Sequence, residues 1–165
     1  MAGSVFETLS ILVVDDSAHM RHLLHTLLHS LGVPQVHLAA NGEEGWALYK
    51  KHEPDLILTD AAMMPVDGFE FAKKLRSQTS DMEATVPIIM ISGHTELTAV
   101  ERARDIGITE FLSKPISARA LYERLILVLD RPRAFIETPT YRGPDRRRRS
   151  RPFAGEDRRG AVALI

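Results

Sequence analysis

Five short runs of β-branched and apolar residues, each bounded by polar positions, recur along the first 130 residues: Ile11–Asp15, Val36–Ala39, Leu56–Asp60, Ile88–Ile91 and Phe111–Ser113. Runs of this length and content predict strands. Between them the period changes. Met20, Leu23, Leu24, Leu27, Leu28 and Leu31 recur at helical spacing, so Ser17–Leu31 is expected to form a helix with one apolar face. Ser17 or Asp16 caps its start, and Gly32-Val33-Pro34 ends it. The same signals predict helices at Glu43–His52, Gly68–Gln78, Glu96–Ile106 and Ser117–Leu129. Strands that are apolar throughout are buried on both faces. Five of them alternating with five helices predict an α/β fold, a doubly wound five-stranded parallel sheet with helices on both sides. In that architecture, chemistry collects at the carboxyl ends of the strands.

The pattern stops after Asp130. Residues 131–165 are rich in Arg, Pro and Gly and hold few large apolar side chains. Such a segment buries too little surface to order itself, so it is expected to be disordered or ordered only by a ligand. Charge divides at the same place. Residues 1–130 carry 11 Lys/Arg against 18 Asp/Glu, and residues 131–165 carry 10 Arg against 4 Asp/Glu. The net charge of −1 thus conceals a domain at −7 and a tail at +6. This reads as a folded domain, 1–130, and a binding extension, 131–165. The two parts attract one another in the free chain, which would make the tail self-masking.

Composition narrows the function classes. The absence of cysteine excludes disulfide scaffolds, thiolate zinc sites and thiol catalysis. No apolar run approaches the ~20 residues of a membrane span. Met1–Ser10 lacks the basic region and apolar block of a secretory signal. The expectation is a cytoplasmic signalling or binding protein, not an enzyme.

Candidate chemistry lies at the strand ends. Asp15 and Asp16 end the first strand and Asp60 ends the third, its neighbour in a doubly wound sheet. Three converging carboxylates repel unless a cation intervenes, and an all-oxygen set suits Mg²⁺. Lys114, before Pro115, brings an ammonium to the same edge, and Ser92 brings a hydroxyl. The set suits a phosphoryl group arriving on one carboxylate. Taken singly, each of these residues reads as a helix cap or a solvated charge. Their joint placement is what points to a site. His22, His25 and His29 on the first helix have spacing that could bind a transition metal, although a solvated face is the commoner use of such a stripe.

The extension contains a repeat. Tyr141-Arg142-Gly143-Pro144-Asp145-Arg146-Arg147 is echoed by Phe153-Ala154-Gly155-Glu156-Asp157-Arg158-Arg159, both reading aromatic-x-Gly-x-Asp-Arg-Arg. Arg pairs bidentately with guanine O6 and N7 or stacks on a base. An ionised Asp accepts from guanine N1–H and N2–H₂. Tyr141 and Phe153 offer stacking faces, and Gly143 and Gly155 let the backbone approach closely. Two such clamps suit a ligand with two guanines and two phosphates, cyclic di-GMP. Arg146–Arg149 taken alone would equally fit nonspecific nucleic-acid binding.

Residues 9–130 resemble a response-regulator receiver domain of the CheY type. The marks are Ile11-Leu12-Val13-Val14-Asp15-Asp16, Pro54–Asp60, Asp67-Gly68, Ser92 and Lys114-Pro115. The resemblance implies a flavodoxin/CheY-like fold with Asp60 as phosphoacceptor. It implies Mg²⁺ held by Asp15, Asp16, Asp60 and the Ala62 carbonyl, Lys114 and Ser92 on the phosphoryl oxygens, Phe111 as the aromatic switch, and a histidine kinase as donor. Arg142-Gly143-Pro144-Asp145 resembles the Arg-x-x-Asp inhibitory c-di-GMP site of diguanylate cyclases. The whole layout resembles the Cle group of CheY-like c-di-GMP effectors, which implies docking on a flagellar motor switch protein. Three readings stand: a c-di-GMP effector, a conventional phosphorylation-dependent regulator, and a receiver with a nucleic-acid-binding tail.

Overall fold

The computed structural model describes residues 4–78, 85–93, 97–146 and 162–164, the last by backbone alone. The elements run β1 (Ser10–Val14), α1 (Ala18–Ser30), β2 (Gln35–Ala39), α2 (Gly42–His52), β3 (Leu56–Asp60), α3 (Gly68–Arg76), β4 (Ile88–Ser92), α4 (Leu97–Ile106), β5 (Glu110–Ser113) and α5 (Ala118–Asp130). Three short strands follow: β6 (Phe135–Thr138), β7 (Tyr141–Pro144) and β8 (Val162–Leu164). The five expected strands form a parallel sheet in the order β2-β1-β3-β4-β5. The expected and observed boundaries differ by one or two residues, as helix and strand ends do.

Local chemistry sets those boundaries. The Ser17 hydroxyl, not Asp16, caps α1 by accepting from the Met20 N–H. Asn41 and Ser117 cap α2 and α5 in the same way. Asp67 and Glu70 form a reciprocal capping box at the start of α3. Successive strand residues then point to opposite faces. Ile11, Val13, Leu56, Leu58, Ile89 and Ile91 pack with Leu24 and Leu28 of α1 and Leu121 and Leu125 of α5. Leu12, Val14, Ile57, Ile88 and Met90 pack with Tyr49, Phe71 and Ala103 of α2, α3 and α4. This is the doubly wound arrangement that the alternating pattern predicts.

Gly68 is the most tightly enclosed of the described glycines. Its N–H donates to the Ala61 carbonyl at 3.0 Å. A Cβ there would overlap the carbonyl oxygen of Asp60 and lie 3.1 Å from the Thr59 hydroxyl. Gly68→Ala is therefore expected to cost about 2–3 kcal/mol. A urea melt checks it, and a loss below about 0.5 kcal/mol would show that the loop yields without strain.

The segment after Asp130 departs from expectation. Phe135–Thr138 and Tyr141–Pro144 pair as an antiparallel hairpin, and β8 lies on the other edge of β6. The expected lack of order is thus corrected for residues 131–146. The physical reason is borrowed burial. Phe135 and Tyr141 are both 8 % exposed. Beneath them lies Arg76 of α3, whose guanidinium donates to the carbonyls of Gly107 and Val86 at 2.9 and 2.7 Å and faces the Phe135 ring at 5.5 Å. Burial pulls the Arg76 pKa down to about 10, so it remains charged at neutral pH. Arg133 and Arg124 lie 3.7 and 3.8 Å from the buried carboxylate of Glu110 at the start of β5. The hairpin therefore seats at the amino ends of β4 and β5, opposite the strand ends that carry the acidic residues.

Candidate functional site

Parallel register places the acidic residues together. Val14 pairs with Thr59, so the residues that follow them, Asp15 and Asp60, leave neighbouring strands at the same level. One ligand oxygen from each of Asp15, Asp16 and Asp60 lies within 4.8 Å of the others. Asp15 and Asp60 are buried, and Asp16 is exposed. Lys114, after β5 and before a cis Pro115, reaches back across the edge. Its ammonium is 3.2 Å from Asp60 Oδ1 and 3.6 Å from Asp15 Oδ2. Its backbone N–H donates to the Ser92 carbonyl at 2.9 Å. Ser92 is buried at the end of β4. Phe111 is half-buried against the core beneath α3 and α4. Ala62 is exposed, two residues past the acceptor edge.

Burial raises the carboxyl of Asp60. The Lys114 charge and hydrogen bond and the Ala61 N–H oppose this, while Asp16 adds to it. Burial also raises Asp15, helped by Asp60 and Asp16 and opposed by the Ser17 N–H and Lys114. One ammonium thus does not offset three carboxylates. The donors are all oxygen, and exposed Asp16 leaves an open side for retained waters, which fits a hard divalent cation.

A stability consequence follows from the direction of those shifts. The folded chain holds protons on Asp15 and Asp60 at pH values where the unfolded chain has released them. Their favourable contribution is complete below the ordinary carboxylate range and is lost as pH rises through the raised native values. Two unit charges 4.8 Å apart repel by about 3 kcal/mol at an effective dielectric near 20. With Lys114 cancelling part of this, Asp15→Asn is expected to stabilise the cation-free protein at pH 7 by about 1–2 kcal/mol. The gain should shrink in Mg²⁺. Thermal melts at pH 7 check it, and a less stable variant would show that Lys114 already balances the cluster.

Among the described residues the aspartate trio is the one group of three such ligands that converges. His25 and His29 bring their Nε2 atoms to 3.1 Å, but His22 does not join them as a third ligand.

In the extension, the first repeat copy forms β7 and the residues just after it. Tyr141 is buried and donates its hydroxyl to the Pro144 carbonyl at 2.6 Å. The Arg146 guanidinium lies over the Tyr141 ring at 4.4 Å. Arg142 donates to the Gln78 carbonyl and lies 3.9 Å from Glu137. The Asp145 N–H donates to the Ala134 carbonyl. Gly143 is buried beside Gly107. Between α3, α4 and the hairpin turn runs a cleft of about 710 Å³ that both Tyr141 and Arg142 line. Arg147, Phe153, Gly155, Asp157, Arg158 and Arg159 lie outside the described residues, so the pairing of two copies is not on view. Sequence reasoning missed Asp105 and Gly107, which meet this copy from the domain. Nothing local marks either one, since their role comes from what the extension places against them.

The fold and the acidic edge define a three-layered α/β signalling domain built around a charged strand-end cluster. The chain belongs to the family described as the response regulator receiver domain, which matches residues 11–126. It is 34% identical over 122 residues to the chemotaxis protein CheY1 of Helicobacter pylori, covering 73% of this chain and 97% of that protein. Its structure is similar to that of chemotaxis response regulator CheY4 of Vibrio cholerae, with a TM-score of 0.68 and 32% identity over 73% of this chain and 99% of the other. The receiver domain of the sensor histidine kinase PA1611 from Pseudomonas aeruginosa, solved with magnesium in its active-site cleft, gives 0.67 at 25% identity, covering 74% and 98%. The chain spans about half the length of the curated transcriptional regulators it matches, 47% for one from Porphyra purpurea. Among the described residues, no helix is long and apolar enough to cross a membrane.

Proposed function

We propose that the chain is a c-di-GMP effector built on a receiver domain, with residues 1–130 as the receiver and 131–165 as the ligand-binding extension. The observation that carries this reading is the stacking of Arg146 on Tyr141 at 4.4 Å beside Asp145. An arginine fork, an aromatic face and an acceptor carboxylate lie within one short stretch, and these are the groups that guanine recognition needs. The second copy, Phe153 to Arg159, repeats the aromatic, Asp and Arg-Arg positions for the second base, with Ala154 where the first copy has Arg142. Bound ligand then biases the surface around α4, β5, α5 and Phe111 toward a flagellar motor switch protein. The chemotaxis relatives support that choice of partner.

The receiver keeps its own chemistry in this proposal. Asp15, Asp16, Asp60 and the Ala62 carbonyl hold Mg²⁺, and Asp60 accepts a phosphoryl group from a histidine kinase. Lys114 and Ser92 bind its oxygens. The 3.2 Å approach of Lys114 to Asp60 favours a second reading, a conventional phosphorylation-dependent regulator with an accessory tail. Calorimetric titration of the full chain with c-di-GMP separates the two. Saturable uptake supports the effector. No uptake, with beryllium fluoride and Mg²⁺ still bound at Asp60, leaves the conventional regulator.

A further inference from the structure

Three groups that the proposed function assigns to c-di-GMP, the side chains of Tyr141, Arg142 and Arg146, are already engaged within the chain. One face of the Tyr141 ring is covered by Arg146, and the ring is otherwise buried. The Arg146 guanidinium donates to Asp105 Oδ1, in the last turn of α4, at 3.1 Å. Arg142 is tied to the carbonyl of Gln78, just past α3. The backbone around Asp145 is held as well, its carbonyl accepting from Arg133 at 3.2 Å. Backbone meets backbone at Gly143, where an added Cβ would lie 2.6 Å from the Gly107 Cα. Gly107 itself has φ +98°, a left-handed conformation, and a Cβ there would lie 2.6 Å from the Arg142 carbonyl oxygen.

A base that stacks on Tyr141 must displace Arg146 from the ring. An Arg146 fork that reads O6 and N7 must leave Asp105. Docking of the hairpin and capture of the ligand thus draw on the same atoms. We infer that the seat made by Asp105, Gly107 and Gln78 is an intramolecular competitor of c-di-GMP, so that the first repeat copy is either docked on the receiver or bound to ligand. The inference rests on the c-di-GMP reading and adds its regulation. Apparent affinity is the intrinsic affinity reduced by the undocked fraction. By reciprocity, ligand loosens the hairpin from the α3–α4 end of the receiver, which gives the ligand a lever on α4.

The test uses the full chain and three variants. Asp105→Ala removes an exposed carboxylate that pairs with Arg146 at 3.1 Å and with Arg104 at 3.7 Å, without touching the core. It should speed hydrogen exchange in β6 and β7 without ligand and tighten c-di-GMP binding about two- to fivefold. Gly107→Ala drives a methyl group into the docked backbone and should tighten binding about tenfold or more. If Gly107→Ala does not fold, Asp105→Ala alone decides. Glu43→Ala, which removes an exposed carboxylate from α2, an element that contributes nothing to the seat, should leave affinity at the wild-type value; an equal gain there would reduce the effect to general charge and overturn the inference. Wild-type or weaker affinity in Asp105→Ala, with the wild-type chain binding normally, also overturns it while leaving c-di-GMP recognition in place. If neither the wild-type chain nor any variant takes up c-di-GMP, the ligand reading fails and the competition fails with it.

Discussion

Asn in place of Asp60 is expected to abolish phosphoryl uptake and to weaken beryllium fluoride binding in Mg²⁺ by about 100-fold or more. In the proposed reaction an oxygen of Asp60 attacks phosphorus in line, and the bond to the donor breaks on the opposite side, its electron pair leaving with the donor. An amide oxygen is neutral. It is a poor nucleophile and a poorer ligand for a hard cation than a carboxylate. Lys114 stands 3.2 Å from Asp60 and would hold a new oxygen on that group. Its removal should weaken the product state but leave the acceptor itself, so Lys114→Ala is expected to lose less than Asp60→Asn. Phosphorylation by a small acyl phosphate and fluorine NMR of the beryllium fluoride complex read both variants. The fold should persist in Asp60→Asn, because the side chain keeps its shape and one of three crowded carboxylates disappears. Mimic binding at wild-type strength in that variant would remove Asp60 as the acceptor.

The second large effect is ligand selectivity. The full chain is expected to prefer c-di-GMP over cyclic di-AMP by about a thousandfold or more. Arg donates to guanine O6 and N7, and Asp accepts from N1–H and N2–H₂. Adenine lacks both the O6 acceptor and the N2 donor, so each clamp would leave polar groups unpaired at about 1–3 kcal/mol apiece. Two bases double the penalty. Asp145→Ala should therefore cost more affinity than Arg149→Ala, since Arg149 lies outside the repeat. Arg146→Lys should also be costly, because an ammonium has no planar fork with which to read O6 and N7 together. Titration with both dinucleotides reads these effects. Equal affinity for the two, or a silent Asp145→Ala, would reduce the extension to a charged tail. Steep loss of all binding with salt would mark it as a phosphate binder without base selection.

Much of the receiver was legible because its signals are local. Apolar runs such as Leu56-Ile57-Leu58 have no solvent face to offer, so they read as buried parallel strands, and all three are fully buried. The leucines of α1 repeat at helical spacing because one face must meet the sheet, and Leu24 and Leu28 do. The acidic site was legible for a topological reason. In a doubly wound sheet, Asp15, Asp60 and Lys114 can only leave the sheet at one edge, so chain position implied proximity.

The hairpin was not legible in this way. Phe135-Ile136-Glu137-Thr138 and Tyr141 carry β-forming side chains, but the arginine content and the absence of a core of their own outweighed them. A two-stranded hairpin has little stability alone. What makes this one persist is a seat assembled from residues far apart in the chain: buried Arg76 at the end of α3, Gly107 after α4 and Glu110 at the start of β5. Hydrophobic periodicity and connection rules act without a partner, so the five-stranded parallel sheet, and the convergence of the carboxylates on its neighbouring first and third strands, were already legible in the chain. That the first repeat copy lies against the receiver with Arg146 on Asp105 was settled by the folded arrangement. Burial and charge pairing of that kind depend on which surfaces the finished fold presents, and no stretch of chain encodes them alone.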